Sequence, residues 1–196
     1  NVPGHVSNPE IPKTMDAAIA EAKATGADLV LASDPDADRI GAAVPVGSDK
    51  AGPWTTLDGN QIGALLSAFV VKELKAQGKL RPENYIITTL VTSQMSRAIA
   101  TREGIRVEDD LLVGFKWICS RMDSAGPANF IFGYEESHGY LRGDHVRDKD
   151  AGVAAMLFAV VPLRNALPDG PPMGAWVDVT VERWVVVALV TSMSIY

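Results

Sequence analysis

Three acids, Asp34, Asp36 and Asp38, stand at alternate positions in ASDPDADRIG, residues 32–41, and Arg39 follows them directly. Like charges this close repel one another unless a proton or a cation relieves them. Pro35 removes a backbone donor and keeps Asp34 out of the helical region, so the segment reads as an extended or turning loop. In extended chain, residues i, i+2 and i+4 project to one side, which lets the three carboxylates converge. Hard oxygen donors of this kind select Mg2+ or Ca2+ over softer metals. An EF-hand is excluded: counted from Asp34, the sixth position is Arg39 where glycine is needed, and the twelfth is Pro45 where a bidentate Glu is needed. Mg2+ completes its octahedron with water or phosphate oxygens, and Arg39 is a fixed cation suited to phosphate, so the loop points to phosphoryl chemistry. The plain alternative is a solvated acidic turn.

A second dense stretch is FGYEESHGYLRGDHVRDKDAG, residues 132–152. Glu135, Glu136, Ser137 and His138 lie between Gly133 and Gly139, in a loop able to offer acceptors and donors to a polyhydroxylated ligand. Arg142, Arg147 and Lys149 add the cations that an anionic sugar requires. The alternative here is a charged loop leading into an Asp-capped helix.

The elements that must position these residues follow from apolar periodicity. Thr14 is placed to cap a helix with Met15, Ala18, Ile19 and Ala22 on one face, closed by Gly26. ADLVLAS reads as a buried parallel strand and IGAAVPV as another, with Pro45 pushing its end toward an edge or bulge. A polar turn from Gly47 to Pro53 marks a boundary. Then come a long helix with Ile62, Leu65, Leu66, Phe69, Val70 and Leu74 on one face, strand NYIITTLV, a helix capped by Ser93, strand IRVE, helix FKWICSRMD, strand NFIFGY and helix DKDAGVAAMLFAVV. Alternating strands and helices imply an α/β fold whose sheets are mainly parallel, in two consecutive domains. Residues 1–52 form the end of the first, 53–165 the second and 166–196 a tail of unassigned structure. In such sheets ligands gather at the carboxyl ends of strands, where both polar clusters fall.

Taken together, the motifs resemble the α-D-phosphohexomutase superfamily, which includes phosphoglucomutase and phosphomannomutase, from about Ser7 to about Leu163. DPDADR matches that family's metal-binding loop and YEESHG its sugar-binding loop in the third domain, and VGFKWI and VRDKDAG resemble segments near the substrate. The spelling FGYEESHGYL is most similar to a phosphoglucomutase-like branch. The resemblance implies that Asp34, Asp36 and Asp38 bind Mg2+, that Arg39 stabilises the transferring phosphoryl group, and that Glu135 and Ser137 hold sugar hydroxyls. Gly114, Lys116, Arg147 and Lys149 become contacts to substrate oxygens or phosphate, and His138 remains loop structure. It implies interconversion of hexose 1-phosphate and hexose 6-phosphate, with glucose phosphates the expected substrates, through a hexose 1,6-bisphosphate intermediate and a phosphoserine.

The departures are equally legible. No serine stands in a T-A-S-H-N-P context, no R-x-S-G-T motif follows, and Val113 replaces a frequent Thr. Domains 1 and 4 and part of domain 2 are therefore expected to be missing from this chain. A noncatalytic sugar-phosphate-binding module is the second reading. An unrelated Mg2+-dependent phosphatase or glycosyltransferase explains the two loops less well. The net charge of −6, with no basic stripe, argues against nucleic acid as a partner. The run WVVVALVTSM is shorter than the roughly 20 residues a membrane helix needs. Cys119 is the only cysteine, so no disulfide framework is available, and it reads as a small buried hydrophobe. With no signal-peptide profile at Asn1, a cytoplasmic location is the expectation.

Overall fold

The computed structural model describes residues 7–166, with side chains as far as residue 159. The tail reading and the apolar run after Trp184 lie outside the described residues. A 3-10 turn, Pro12–Met15, leads into α1 (Asp16–Thr25), followed by β1 (Val30–Ser33), β2 (Ile40–Pro45) and β3 (Trp54–Leu57). Then come α2 (Gly59–Ala76), β4 (Tyr85–Thr89), α3 (Met95–Glu103), β5 (Arg106–Leu111), α4 (Phe115–Ala125), β6 (Phe130–Glu135), β7 (Gly139–Leu141) and α5 (Ala151–Ala166).

The strands form two sheets, ordered β1-β2-β3 and β5-β4-β6-β7. In the second sheet β4 pairs parallel with both β5 and β6, as expected from the alternating pattern, and β7 adds an antiparallel edge. The first sheet is antiparallel throughout, where the sequence suggests parallel strands. Connection length explains the difference. A parallel crossover takes about a dozen residues or more, and residues 34–39 are too few to turn the chain that way. The same limit makes β7 antiparallel, since only residues 136–138 separate it from β6. Two strands were not legible at all: β7 is a three-residue element, and β3 is a four-residue strand directly after the expected turn at Gly47 to Pro53. β2 is central, and Pro45 closes its last pair with Trp54.

Alternation along β4 shows how the second sheet is covered. Tyr85 and Ile87 face α4, joining Phe115, Ile118, Cys119 and Met122 in one cluster. Ile86 faces the other way and joins Ile62, Leu66 and Val70 of α2, Ala100 of α3 and Ala154 and Phe158 of α5. Ile40 and Ala42 of β2 belong to that same cluster, so the two sheets share a core. Met15 of the 3-10 turn and Ala22 of α1 pack on Val30 and Ala43 of the first sheet.

Local signals account for most element ends. Asp58 caps α2 in a reciprocal box with Gln61, and Gly26 closes α1 in the left-handed region. Thr14 does not cap α1: its hydroxyl donates to the carbonyls of Asn8 and Ile11 and tightens the turn before the helix. Ser93 accepts the Met95 N–H in the first turn of α3, close to its expected role. Leu65 departs from the expected apolar face and is exposed, because the inward face of α2 centres on Ile62, Leu66 and Val70 and continues through Gly63, Ser67 and Val71. Cys119 is buried as expected, and burial pushes its thiol up to about 11.

α2 approaches β6 so closely that a Cβ at Gly63 would overlap the Tyr134 ring. That ring is fully buried, and its hydroxyl is fixed in a chain with Ser96 and Ser67. Gly63→Ala therefore cannot be absorbed by a side-chain rotation, and urea denaturation should show a loss of about 3 kcal/mol. An unchanged midpoint would contradict the close packing.

Candidate functional site

The acidic loop is built by the β1–β2 connection. Ser33 pairs with Ile40, which closes residues 34–39 into a turn. The Ala37 N–H donates to the Asp34 carbonyl (3.1 Å), and Ala37 takes φ 56°, an uncommon value for a residue with a Cβ. Asp34 Oδ1 accepts the backbone N–H groups of Asp38 (3.2 Å) and Arg39 (3.1 Å), so one of its oxygens holds the loop in shape. Asp36 is exposed. The turn therefore separates the three acids, and among the described residues no three acids gather into a metal-binding group.

Two of the acids are nevertheless coupled. Burial raises the Asp34 carboxyl above its ordinary value, opposed by the Arg39 N–H and reinforced by the neighbouring Asp38. Burial acts on Asp38 as well, but hydrogen bonds from Lys149 and Asp34 and the charges of Lys149 and Arg39 outweigh it and hold Asp38 low. Asp38 Oδ1 is buried without a hydrogen-bond partner. An orphaned carboxylate oxygen normally carries a desolvation cost, and beside Asp34 it fits a hard divalent cation.

The second loop is the β6–β7 hairpin. Glu135 ends β6 opposite Gly139 and is only 4% exposed. Burial raises its carboxyl, against a hydrogen bond from Ser137 and the charge of Lys149. Glu136, the first residue of the turn after β6, points elsewhere. Its Oε2 accepts from the Thr89 (3.1 Å) and Thr92 (3.4 Å) hydroxyls at the end of β4. His138, at φ 66°, is buried; its Nδ1 donates to the Ile40 carbonyl (3.0 Å), and its own carbonyl accepts the Ile40 N–H (3.2 Å). With the Arg39–Gly139 bridge, these contacts stitch the hairpin to the acidic loop.

Lys149 completes the junction. Its Nζ lies 3.1 Å from Asp38 Oδ2 and 3.9 Å from Glu135 Oε1. The stem reaches that point across Gly139, where a Cβ would overlap the Lys149 side chain. The next residue, Asp150, caps α5 by accepting the Val153 N–H (2.9 Å), and the Ala151 N–H donates to the Ala37 carbonyl (3.2 Å). The charged-loop alternative thus names a true part of the structure, an Asp-capped helix start, but does not explain why Lys149 points at two carboxylates.

The structure brings Asp34, Asp38, Arg39, Glu135, Ser137 and Lys149 to this junction. Arg39 reaches Glu10 with Nη1 (3.0 Å), while its buried Nε has no hydrogen-bond partner and lies 4.0 Å from Asp34 Oδ2. Gly114, Lys116 and Arg147 stand apart in the described contacts. Gly114 precedes α4 at φ 122°, and exposed Lys116 lies 5.2 Å from the centre of the Trp117 ring. Arg147 pairs with Asp123 of α4 (2.7 Å) and donates to the Asp144 carbonyl (2.6 Å). Sequence reading did not find the Glu136–Thr89–Thr92 contact. Nothing local links Glu136 to hydroxyls more than 40 residues away.

Known proteins share this arrangement of segments. The family model described as phosphoglucomutase/phosphomannomutase, alpha/beta/alpha domain III, matches residues 58–166, and the corresponding domain II model matches residues 1–47. A domain of unknown function matches residues 148–196. A phosphoglucomutase from Staphylococcus epidermidis is 38% identical over 158 residues, which is 80% of this chain and 26% of that protein. A "Probable phosphoribomutase" from Schizosaccharomyces pombe is 38% identical over 76% of this chain and 25% of its own length. The chain therefore spans about a quarter of these relatives. The crystal structure of a phosphoglucomutase/phosphomannomutase family protein from Burkholderia thailandensis superposes with a TM-score of 0.60 at 21% identity, covering 85% of this chain and 34% of that one, and shows the shared fold.

The raised Glu135 carboxyl has a testable sign. A carboxyl raised in the folded state stabilises the fold at low pH, and this contribution is lost as pH rises above the ordinary value of 4.5 and through the folded one. Glu135→Gln should remove that loss, so the variant's denaturation midpoint should fall less than the wild type's on going upward from pH 4.5. Parallel pH profiles would show that burial does not control this carboxyl.

Proposed function

The chain belongs to the phosphoglucomutase/phosphomannomutase family, and from that premise we propose that it supplies the metal-binding and sugar-binding loops of a phosphohexomutase. The reaction is interconversion of hexose 1-phosphate and hexose 6-phosphate through a bound 1,6-bisphosphate, with glucose phosphates the favoured substrates. One observation carries the reading. A single ammonium, Lys149, lies against both Asp38 of the acidic loop and Glu135 of the hairpin, so two motifs about a hundred residues apart form one site.

Roles follow from chemistry. Asp34 and Asp38 would hold Mg2+, which supplies charge neutralisation for phosphoryl transfer when bound, while Asp36, turned outward and exposed, would join them only by a change in the loop. Arg39 offers a guanidinium beside that position for phosphate oxygens. Glu135 accepts from sugar hydroxyls, and Ser137 either donates or accepts, so the pair can hold a hexose in either of two orientations. Exchange of the two phosphate positions requires such tolerance, because the bisphosphate must present each end in turn. Lys116, Arg147 and the backbone at Gly114 approach more distant substrate oxygens.

The phosphoserine donor and a further phosphate-binding motif come from other parts of the same polypeptide, domains 1 and 4, in keeping with relatives about four times as long. The first domain's chain runs into the segment 47–57, and the second occupies the residues to about 165. No helix among the described residues is long and apolar enough to cross a membrane. The working setting is the cytoplasm, with a sugar phosphate rather than nucleic acid as partner.

The purified 196-residue chain should bind glucose 6-phosphate in the presence of Mg2+, as read by calorimetry, and Glu135→Ala should weaken that binding by about tenfold or more. The same chain should show no conversion of glucose 1-phosphate to glucose 6-phosphate, because it carries no phosphoryl donor. Absence of binding would overturn the site, and robust turnover would overturn the division of labour.

A further inference from the structure

We propose that Lys149 acts as a resident counter-ion that competes with the divalent cation for Asp38 and, once displaced, is handed to Glu135, so that metal occupancy primes the sugar loop. The inference rests on the proposed metal role of the acidic loop and goes beyond it. Its basis is the position of one charge. Lys149 Nζ makes a close ion pair with Asp38 Oδ2 at 3.1 Å and only a distant one with Glu135 Oε1 at 3.9 Å. The Lys149 side chain is 14% exposed, so water screens these interactions less than on an open surface.

The geometry sets a second acid beside the ammonium. Its stem is confined where it crosses Gly139, whose missing Cβ makes the slot, and beyond that slot the Glu135 carboxylate is the neighbouring acid. A dication at Asp38 would repel the ammonium over a few ångströms, and the shortest displacement that keeps it paired leads to Glu135. There it would favour the ionised carboxylate, the form that accepts sugar hydroxyls. Glu135 is buried, and its other immediate partners are the Ser137 hydroxyl and, at longer range, Arg39 and Glu136. No group other than Lys149 faces both Asp38 and Glu135 at ion-pair distance among the described residues.

Asp38 fits the other half of the exchange. One of its oxygens is taken by Lys149, while Oδ1 is buried and unpartnered, so the carboxylate is half neutralised and half available. Lys149 thus keeps the acidic loop folded before metal arrives, at the expense of metal affinity.

Mn2+ titration of the 196-residue chain, read by the loss of the free-ion paramagnetic resonance signal, tests this directly. Lys149→Met keeps the stem that lies over Gly139 and removes the charge, and it should bind Mn2+ about tenfold more tightly than the wild type. Lys149→Arg keeps the charge and should stay within about twofold of the wild type. Glucose 6-phosphate binding should strengthen on adding Mg2+ in the wild type and be indifferent to Mg2+ in Lys149→Met. Equal or weaker Mn2+ binding by Lys149→Met, with the wild type binding normally, would overturn the competition while leaving the metal site standing. Failure of both proteins to bind Mn2+ would overturn the metal site and the competition together.

Discussion

Carboxylates cannot be packed side by side in half-buried loops without a proton or a cation to relieve them, and the junction between the two sheets is organised around that requirement. Asp34 and Asp38 are coupled within one loop, Glu135 stands on another, and Lys149 arrives from a third to lie between Asp38 and Glu135. Neutral contacts then fix the register of the same loops. His138 and Ile40 exchange two hydrogen bonds, Arg39 bridges to Gly139, and Ala151 at the start of α5 donates to Ala37. Backbone strain at Ala37 and His138, both at positive φ, is tolerated because each residue is fixed by neighbours on either side.

The fold serves this junction through short connections. A parallel β4–β5–β6 core, with helices on both faces, ends its strands at one edge. The hairpin leaves that edge at Glu135. The first sheet brings its acidic turn to the same place because Ile40 and Ala42 share a core with α2 and α5. Glu136 adds a second tether, to Thr89 and Thr92, and this keeps the hairpin from lifting away from β4.

Much of this was legible in the sequence, and the limits were physical. Strand and helix types for α2 and α4 and for β4 to β6 followed from apolar period and turn residues, and Gly26 marked the end of α1. Strand direction in the first sheet did not follow, because an apolar run such as ADLVL carries no direction; only the length of the 34–39 loop does. The three-residue β7 is too short to show a period. Within the site, the roles proposed for Asp38, Glu135 and Lys149 come from residue type and resemblance. Their mutual distances do not, since a pair such as Asp38 and Lys149 meets only through tertiary packing. The expectation that three acids converge assumed an extended loop, and the hydrogen bonds of Asp34 to its own loop turn Asp36 outward instead.

What distinguishes a shared site from two neighbouring loops is whether they respond to ligand as one. Backbone and side-chain chemical shifts of the isotopically labelled chain, followed as glucose 6-phosphate is added with Mg2+ present, measure this most directly. The account predicts that Asp34 to Arg39, Glu135 to Gly139 and Lys149 shift together, along one saturation curve with a single dissociation constant. Shifts confined to one loop, or two loops saturating at different concentrations, would contradict it.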